Sequence, residues 1–160
     1  MNGYPKPVQR PHPPLLIGAA APRMLRLAAR EADIVAINSS TSSGTLSLET
    51  RRDATTSSFK RKISIVREAA GARIDGIELA AWVFFTNITA DRAGAASQLA
   101  NAMGVGPSEI LENQSTLIGP PDELVDDIGR RREELGISYL IVLEPAMEPF
   151  APVVARLAGT

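Results

Sequence analysis

The chain has 160 residues, 44% of them hydrophobic and 22% charged, with 17 Lys and Arg against 18 Asp and Glu. That make-up suits one globular domain and lacks the charge excess of a disordered segment or a strongly basic nucleic-acid binder. Cysteine is absent and there is a single histidine, which excludes disulfides and thiolate metal sites and argues against a His-based metal cage, so no metal site is expected. Chemistry here must come from a bound cofactor, carboxylates, hydroxyls or backbone groups.

Residues 1–14, with prolines at 5, 7, 11, 13 and 14, cannot be helical and lack the donors of an interior strand, so they predict an extended lead-in. Residues 1–10 hold no apolar stretch of signal-peptide length, and no run approaches the ~18 to 20 apolar residues of a membrane span. The expectation is a cytoplasmic protein without a membrane partner. His12, between prolines, reads as a turn or packing residue.

Leu15–Ile17 predicts a first strand ending at Gly18, and Pro22 opens a helix carrying Met24, Leu25, Leu27, Ala28 and Ala29 at near-helical spacing. Asp33–Ile37 predicts a second buried strand and hence a right-handed βαβ unit. Residues 38–58, rich in Ser and Thr, predict a long polar loop, a length that is uncommon unless it covers or binds something. Phe59, Ile63, Val66 and Ala70 mark one helix face, closed by Gly71 as a C-cap.

The apolar run Ile77–Ile88, with Trp82, Phe84 and Phe85, predicts a third strand over 77–86, its aromatics in the core. Asp91–Met103 predicts an alanine-rich helix and Ser108–Asn113 a short one, whereas Ser115–Gly119 reads as a connector. Asp122–Leu135 predicts a helix with acidic first turns, the triple arginine 130–132 on a solvated face, and Gly136 beyond its end. Tyr139–Leu143 is the fourth strand and Glu148–Leu157 the last helix. Four strands, each followed by helix, predict an α/β fold of four parallel β/α units.

In parallel α/β folds ligands gather at the carboxyl ends of strands, on the loops entering helices. That rule selects Gly18, Ala19, Ala20 and Ala21, where small residues let the backbone approach a ligand and helix N-terminal amides suit a phosphate. It also selects Asn38, Ser39, Ser40 and Thr41, whose side chains can donate to a polar cofactor. Neither segment is a P-loop or a GxGxxG motif. Glu144 ends the fourth strand, a place where a carboxylate can act, yet it equally suits a helix start, and the catalytic residues stay unassigned.

Taken together, Tyr-Pro-Lys-Pro-Val-Gln (4–9), Pro-His-Pro-Pro-Leu-Leu-Ile-Gly (11–18), the run 22–35, Leu-Ile-Gly (117–119) and Glu-Glu-Leu-Gly-Ile-Ser-Tyr (133–139) resemble the luciferase-like monooxygenase superfamily. The nearest likeness is to its coenzyme F-420-dependent oxidoreductase branch. The resemblance implies a (β/α)8 TIM barrel that binds F-420 or, alternatively, FMN, and that transfers hydride to or from a small-molecule substrate with or without oxygen activation. It covers essentially the whole chain and corresponds to the carboxyl-terminal half of such a barrel. A complete one needs on the order of 250 residues.

By the family pattern residues 18–21 meet the cofactor phosphate and Asn38 to Ser40 line the same site. Relatives commonly carry glycine where this chain has Ala19, Ala20 and Ala21, and alanine serves there if its φ is negative. The missing half would supply much of the isoalloxazine pocket and most substrate contacts, which leaves a partner half, closure by a homo-oligomer, a remnant, or part of a longer protein as the expectations. Two other readings stay open: a non-catalytic half-barrel that serves in assembly, and a generic phosphate-binding domain.

Overall fold

Regular structure begins where the prolines stop. A computed structural model describes residues 8–10, 12–40 and 48–159. Residues 1–7 and 11 of the lead-in and 41–47 of the polar loop, Thr41 included, lie outside the described residues.

Leu16–Ala19 (β1) leads into Pro22–Glu31 (α1) and then Ile34–Ile37 (β2). Pro22 opens α1 where its missing N–H costs no hydrogen bond, and Leu25, Ala28 and Ala29 turn one fully buried face inward. Next come Leu48–Arg52 (α2) and Thr56–Ala70 (α3). The Thr55 side chain caps α3 from the Ser58 N–H, and Gly71 ends it at a φ of 53°.

Glu78–Val83 (β3) and Phe85–Ile88 (β4) are followed by Arg92–Met103 (α4), Pro107–Leu111 (α5) and Thr116–Gly119 (β5). Pro121–Leu135 (α6), Ile137–Val142 (β6) and Met147–Leu157 (α7) complete the order.

Strands β1, β2, β3 and β6 form one four-stranded sheet in that order, and every neighbouring pair is parallel. Helices α1 and α3 cover one face, where Leu25, Ala28, Phe59, Ile63 and Val66 pack on Val35, Ile37, Leu79 and Ala81. Burial of each large apolar side chain there contributes about 1.5–3 kcal/mol. A second cluster joins Val83, Leu117, Leu124, Phe150 and Val153, and a third joins Ala96, Ala100, Ile110 and Ile118. Strand alternation sends Leu16, Gly18, Ala36, Ala80 and Trp82 to the opposite face of the sheet, where Ala36 and Ala80 are buried but Leu16 and Trp82 are exposed.

Four expectations are corrected. The run 77–86 is two strands: β3 ends at Val83, and the chain crosses at Phe84 into β4, which pairs with β5 in a separate two-stranded parallel sheet. Consequently Ser115–Gly119 is no connector, since Thr116–Gly119 is fully buried and pairs along its length with Phe85–Ile88. A four-residue strand buried on both sides is too short to show a period. The polar stretch 38–58 is not all loop, for it holds α2 and the start of α3. Last, the triple arginine does not lie wholly on a solvated face: Arg130 and Arg132 are exposed, but Arg131 is 5% exposed.

Arg131 Nη1 donates to the Gln114 carbonyl at 2.9 Å and Nη2 to the Thr116 carbonyl at 2.7 Å. It thereby holds the turn that delivers β5. Burial pushes its pKa down to about 10, against the favourable charge of Asp127. A lysine keeps the charge but loses the two-pronged geometry. Arg131→Lys is therefore expected to destabilise the fold by about 1.5 kcal/mol, measured by urea denaturation. A neutral result would show that the fork carries no net stability.

Candidate functional site

Of the eight residues selected from sequence, the seven that are described, all but Thr41, line one cleft. Gly18 and Ala19 are the last residues of β1, not loop, while Ala20 follows the strand and Ala21 is the N-cap of α1. Asn38, Ser39 and Ser40 follow β2. Together with Trp82 and Phe84 at the end of β3, they enclose about 490 Å³ at the carboxyl ends of three neighbouring strands, within the range of small-ligand sites.

The alanine run meets the condition set above. Ala21 has a φ of −77°, and among the described residues no non-glycine residue has a positive φ. No side chain caps α1, so its first-turn amides keep their hydrogen-bonding capacity for a ligand. The cleft thus offers unpaired backbone donors at the start of α1 and a partly exposed indole at Trp82.

Gly18 is required for a reason other than backbone angle. A Cβ there would lie 2.8 Å from Asn38 Nδ2, so the Asn38 amide packs in the place of a side chain. Gly18→Ala is expected to push Asn38 away and cost about 1 kcal/mol. Chemical denaturation measures the cost, and an unchanged midpoint would mean the cleft wall yields freely.

The loop after β2 is held from behind. Asn38 N–H donates to the Ala19 carbonyl at 2.9 Å, which ties the two predicted segments together. The Lys62 Nζ, buried under the loop, donates to the Asn38 carbonyl at 2.7 Å, to the Asp53 carbonyl at 3.1 Å and to Asp53 Oδ2 at 2.7 Å. Asp53 Oδ2 also accepts from the Ser40 N–H at 2.7 Å, and Oδ1 accepts from the Ser58 hydroxyl at 2.6 Å.

Burial alone would raise the Asp53 pKa, but the bonds from Lys62, Ser58 and Ser40 and the Lys62 charge outweigh it and hold the carboxyl below its usual value. Burial pushes the Lys62 ammonium down despite its bond to Asp53. Beyond Ala20, Ala21 and Ser40 the cleft continues into a second hollow of about 410 Å³ lined by Pro22, Arg52, Asp53 and Arg61.

Sequence reasoning missed Trp82, Phe84, Asp53 and Lys62. Trp82 was expected in the core; it is 37% exposed and stacks on Phe84 with ring centroids 5.2 Å apart. Lys62 did leave a signal, since it interrupts the buried stripe of Phe59, Ile63 and Val66, and a charge on such a face must find partners. The remaining candidates lie outside the cleft. His12 is exposed and bonds to the Pro13 carbonyl at 2.8 Å, and Glu144 is exposed in a short turn before α7.

No family model and no curated protein matches the chain. Solved structures do. The chain is similar to the coenzyme F420 dependent tetrahydromethanopterin reductase from Methanopyrus kandleri, with 22% identity and a TM-score of 0.55 over 89% of this chain and 49% of that one. With a long-chain alkane monooxygenase the values are 15% and 0.57, over 89% and 40%. With a riboflavin lyase holding modified FMN and riboflavin they are 14% and 0.57, over 91% and 42%.

The chain therefore shares the fold of these structures, a parallel α/β barrel of which it makes up about half. The chain spans about half the length of the solved structures it matches. Among the described residues no helix is long and apolar enough to cross a membrane, and no cluster of three or more metal-ligating side chains occurs.

Proposed function

We propose that this chain is the cofactor-binding, carboxyl-terminal half of a luciferase-like oxidoreductase, acting with F-420 or FMN on a small-molecule substrate. The observation that carries this reading is the convergence of Gly18–Ala21, Asn38–Ser40 and Trp82 on one cleft at the strand ends. The phosphate of the cofactor would sit at Ala19, Ala20 and Ala21, against the uncapped start of α1. Asn38, Ser39 and Ser40 would donate to its polar tail, and Trp82 would flank the ring.

When bound, the cofactor supplies the hydride chemistry. The chain's own groups orient it and shield one side from water, and no side chain is assigned as acid or base. The site is incomplete without further strands, because the open face of the sheet leaves Trp82 exposed.

Fluorescence titration with FMN and with F-420, in parallel with inorganic phosphate as competitor, tests the proposal. Saturable binding of either cofactor that phosphate weakens is the expected result. Binding of phosphate without preference for a flavin would favour the generic phosphate-binding reading, and no binding in the high-micromolar range would overturn both.

A further inference from the structure

The large apolar side chains left exposed are not scattered. Leu15, Leu16, Met24 and Leu27 lie on or beside β1 and α1, each at least 37% exposed. Tyr139, Leu143, Met147 and Val154 lie on or beside β6 and α7, each at least 40% exposed. Apart from Val8 in the lead-in and Trp82 in the cleft, these are the strongly exposed large hydrophobics among the described residues. They sit at the two edges of the four-stranded sheet, since β1 and β6 are its outer strands. Beside β6 an apolar groove of about 340 Å³, lined by Leu140, Phe150 and Val154, runs between α6 and α7.

The two edges also differ in charge. Exposed Arg23, Arg26 and Arg30 stud α1, with Glu31 at its far end, and none of the three arginines has an ion-pair partner among the described residues. Across the sheet, Glu144 and Glu148 stand exposed and unpaired among the described residues at the start of α7. Helices of parallel β/α units begin at the carboxyl ends of the strands, so Arg23 and the two glutamates lie at the same level.

We infer that a second copy of this chain closes the sheet. The β1 edge of each copy would lie beside the β6 edge of the other. The two contacts are then identical, as twofold symmetry requires, and four strands from each copy make a closed ring of eight. Closure removes both open edges, sets the basic α1 of one copy against the acidic start of α7 of the other, and covers Leu16, Trp82 and Tyr139 on the inner face. A second copy is the occupant because each chain carries both members of a complementary pair, apolar with apolar and arginine with glutamate. This deepens the reading above by naming the missing half, and its test is a mass, read without cofactor.

Sedimentation equilibrium of the full chain is expected to show a dimer. Reversing charge on one edge, as Arg23→Glu with Arg26→Glu, or on the other, as Glu144→Arg with Glu148→Arg, is expected to weaken dimerisation about tenfold or more. All four positions are exposed, so folding is preserved, and combining the four changes in one chain is expected to restore affinity to within about threefold of the original. A wild-type monomer at every concentration, whether or not it binds cofactor, would overturn closure by a second copy and assign the missing half to different strands. A fourfold variant no tighter than the two double variants would overturn the proposed pairing of edges.

Discussion

Lys62→Met is expected to lower the melting temperature by roughly 10 °C, because about 3 kcal/mol is lost when one member of a buried ion pair is removed. Nζ of Lys62 is the donor that joins the Asn38 carbonyl to Asp53. Without it, Asp53 keeps its charge in a site only partly open to water, and the Asn38 carbonyl loses its partner. Hydrogen exchange should quicken at Ser40, whose N–H rests on the same carboxylate. Lys62→Arg is expected to recover part of the loss. A melting temperature unchanged in Lys62→Met would refute the idea that this pair holds the cleft wall.

The pH dependence follows with a definite sign. The folded-state pKa of Asp53 lies below its ordinary 3.8, so its contribution is present above about pH 4 and lost as the pH falls through the folded value. Lys62 acts in the other sense. Its folded pKa lies below 10.5, the unfolded chain binds that proton more tightly, and its contribution rises with pH between the two values. Acid is therefore expected to loosen the cleft wall, and Asp53→Asn to flatten that acid limb in thermal melts; an acid limb of unchanged slope would contradict it.

Ala20→Glu is expected to weaken cofactor binding about a hundredfold, near 2.7 kcal/mol, with little change in melting temperature. Ala20 is half-buried between the end of β1 and the start of α1, and an added carboxylate there opposes a phosphate by charge and by bulk. Titration of the variant with FMN and F-420 measures the effect. Unchanged affinity would remove this loop from the site, however the rest of the cleft behaves.

Much of the cleft was legible in the sequence because its parts follow local rules. Pro22 after a run of alanines marks a strand-to-helix turn, and polar residues directly after Ile37 mark a strand's carboxyl end. Their convergence needed only the parallel order of β1 and β2. What failed depended on tertiary partners. Nothing in Ile77–Ile88 says that Phe84 is where one sheet is left for another, because the exchange is set by pairing with Thr116–Gly119, 31 residues on. Arg131 reads like its neighbours Arg130 and Arg132 until the carbonyls of Gln114 and Thr116 are seen to meet it. Trp82 reads as core in a chain with so few aromatics, yet alternation along β3 places it on the open face of the sheet.

That placement provides the most direct measurement. Trp82 is the single tryptophan of the chain and lines the cleft, so at a fixed protein concentration a change in its emission on adding cofactor reports on this site. Saturable quenching of Trp82 by FMN or F-420, reversed by phosphate and lost in Ala20→Glu, is the expected result. Cofactor binding that leaves Trp82 emission untouched, or no quenching in the high-micromolar range, would contradict the claim that this cleft is where the cofactor binds.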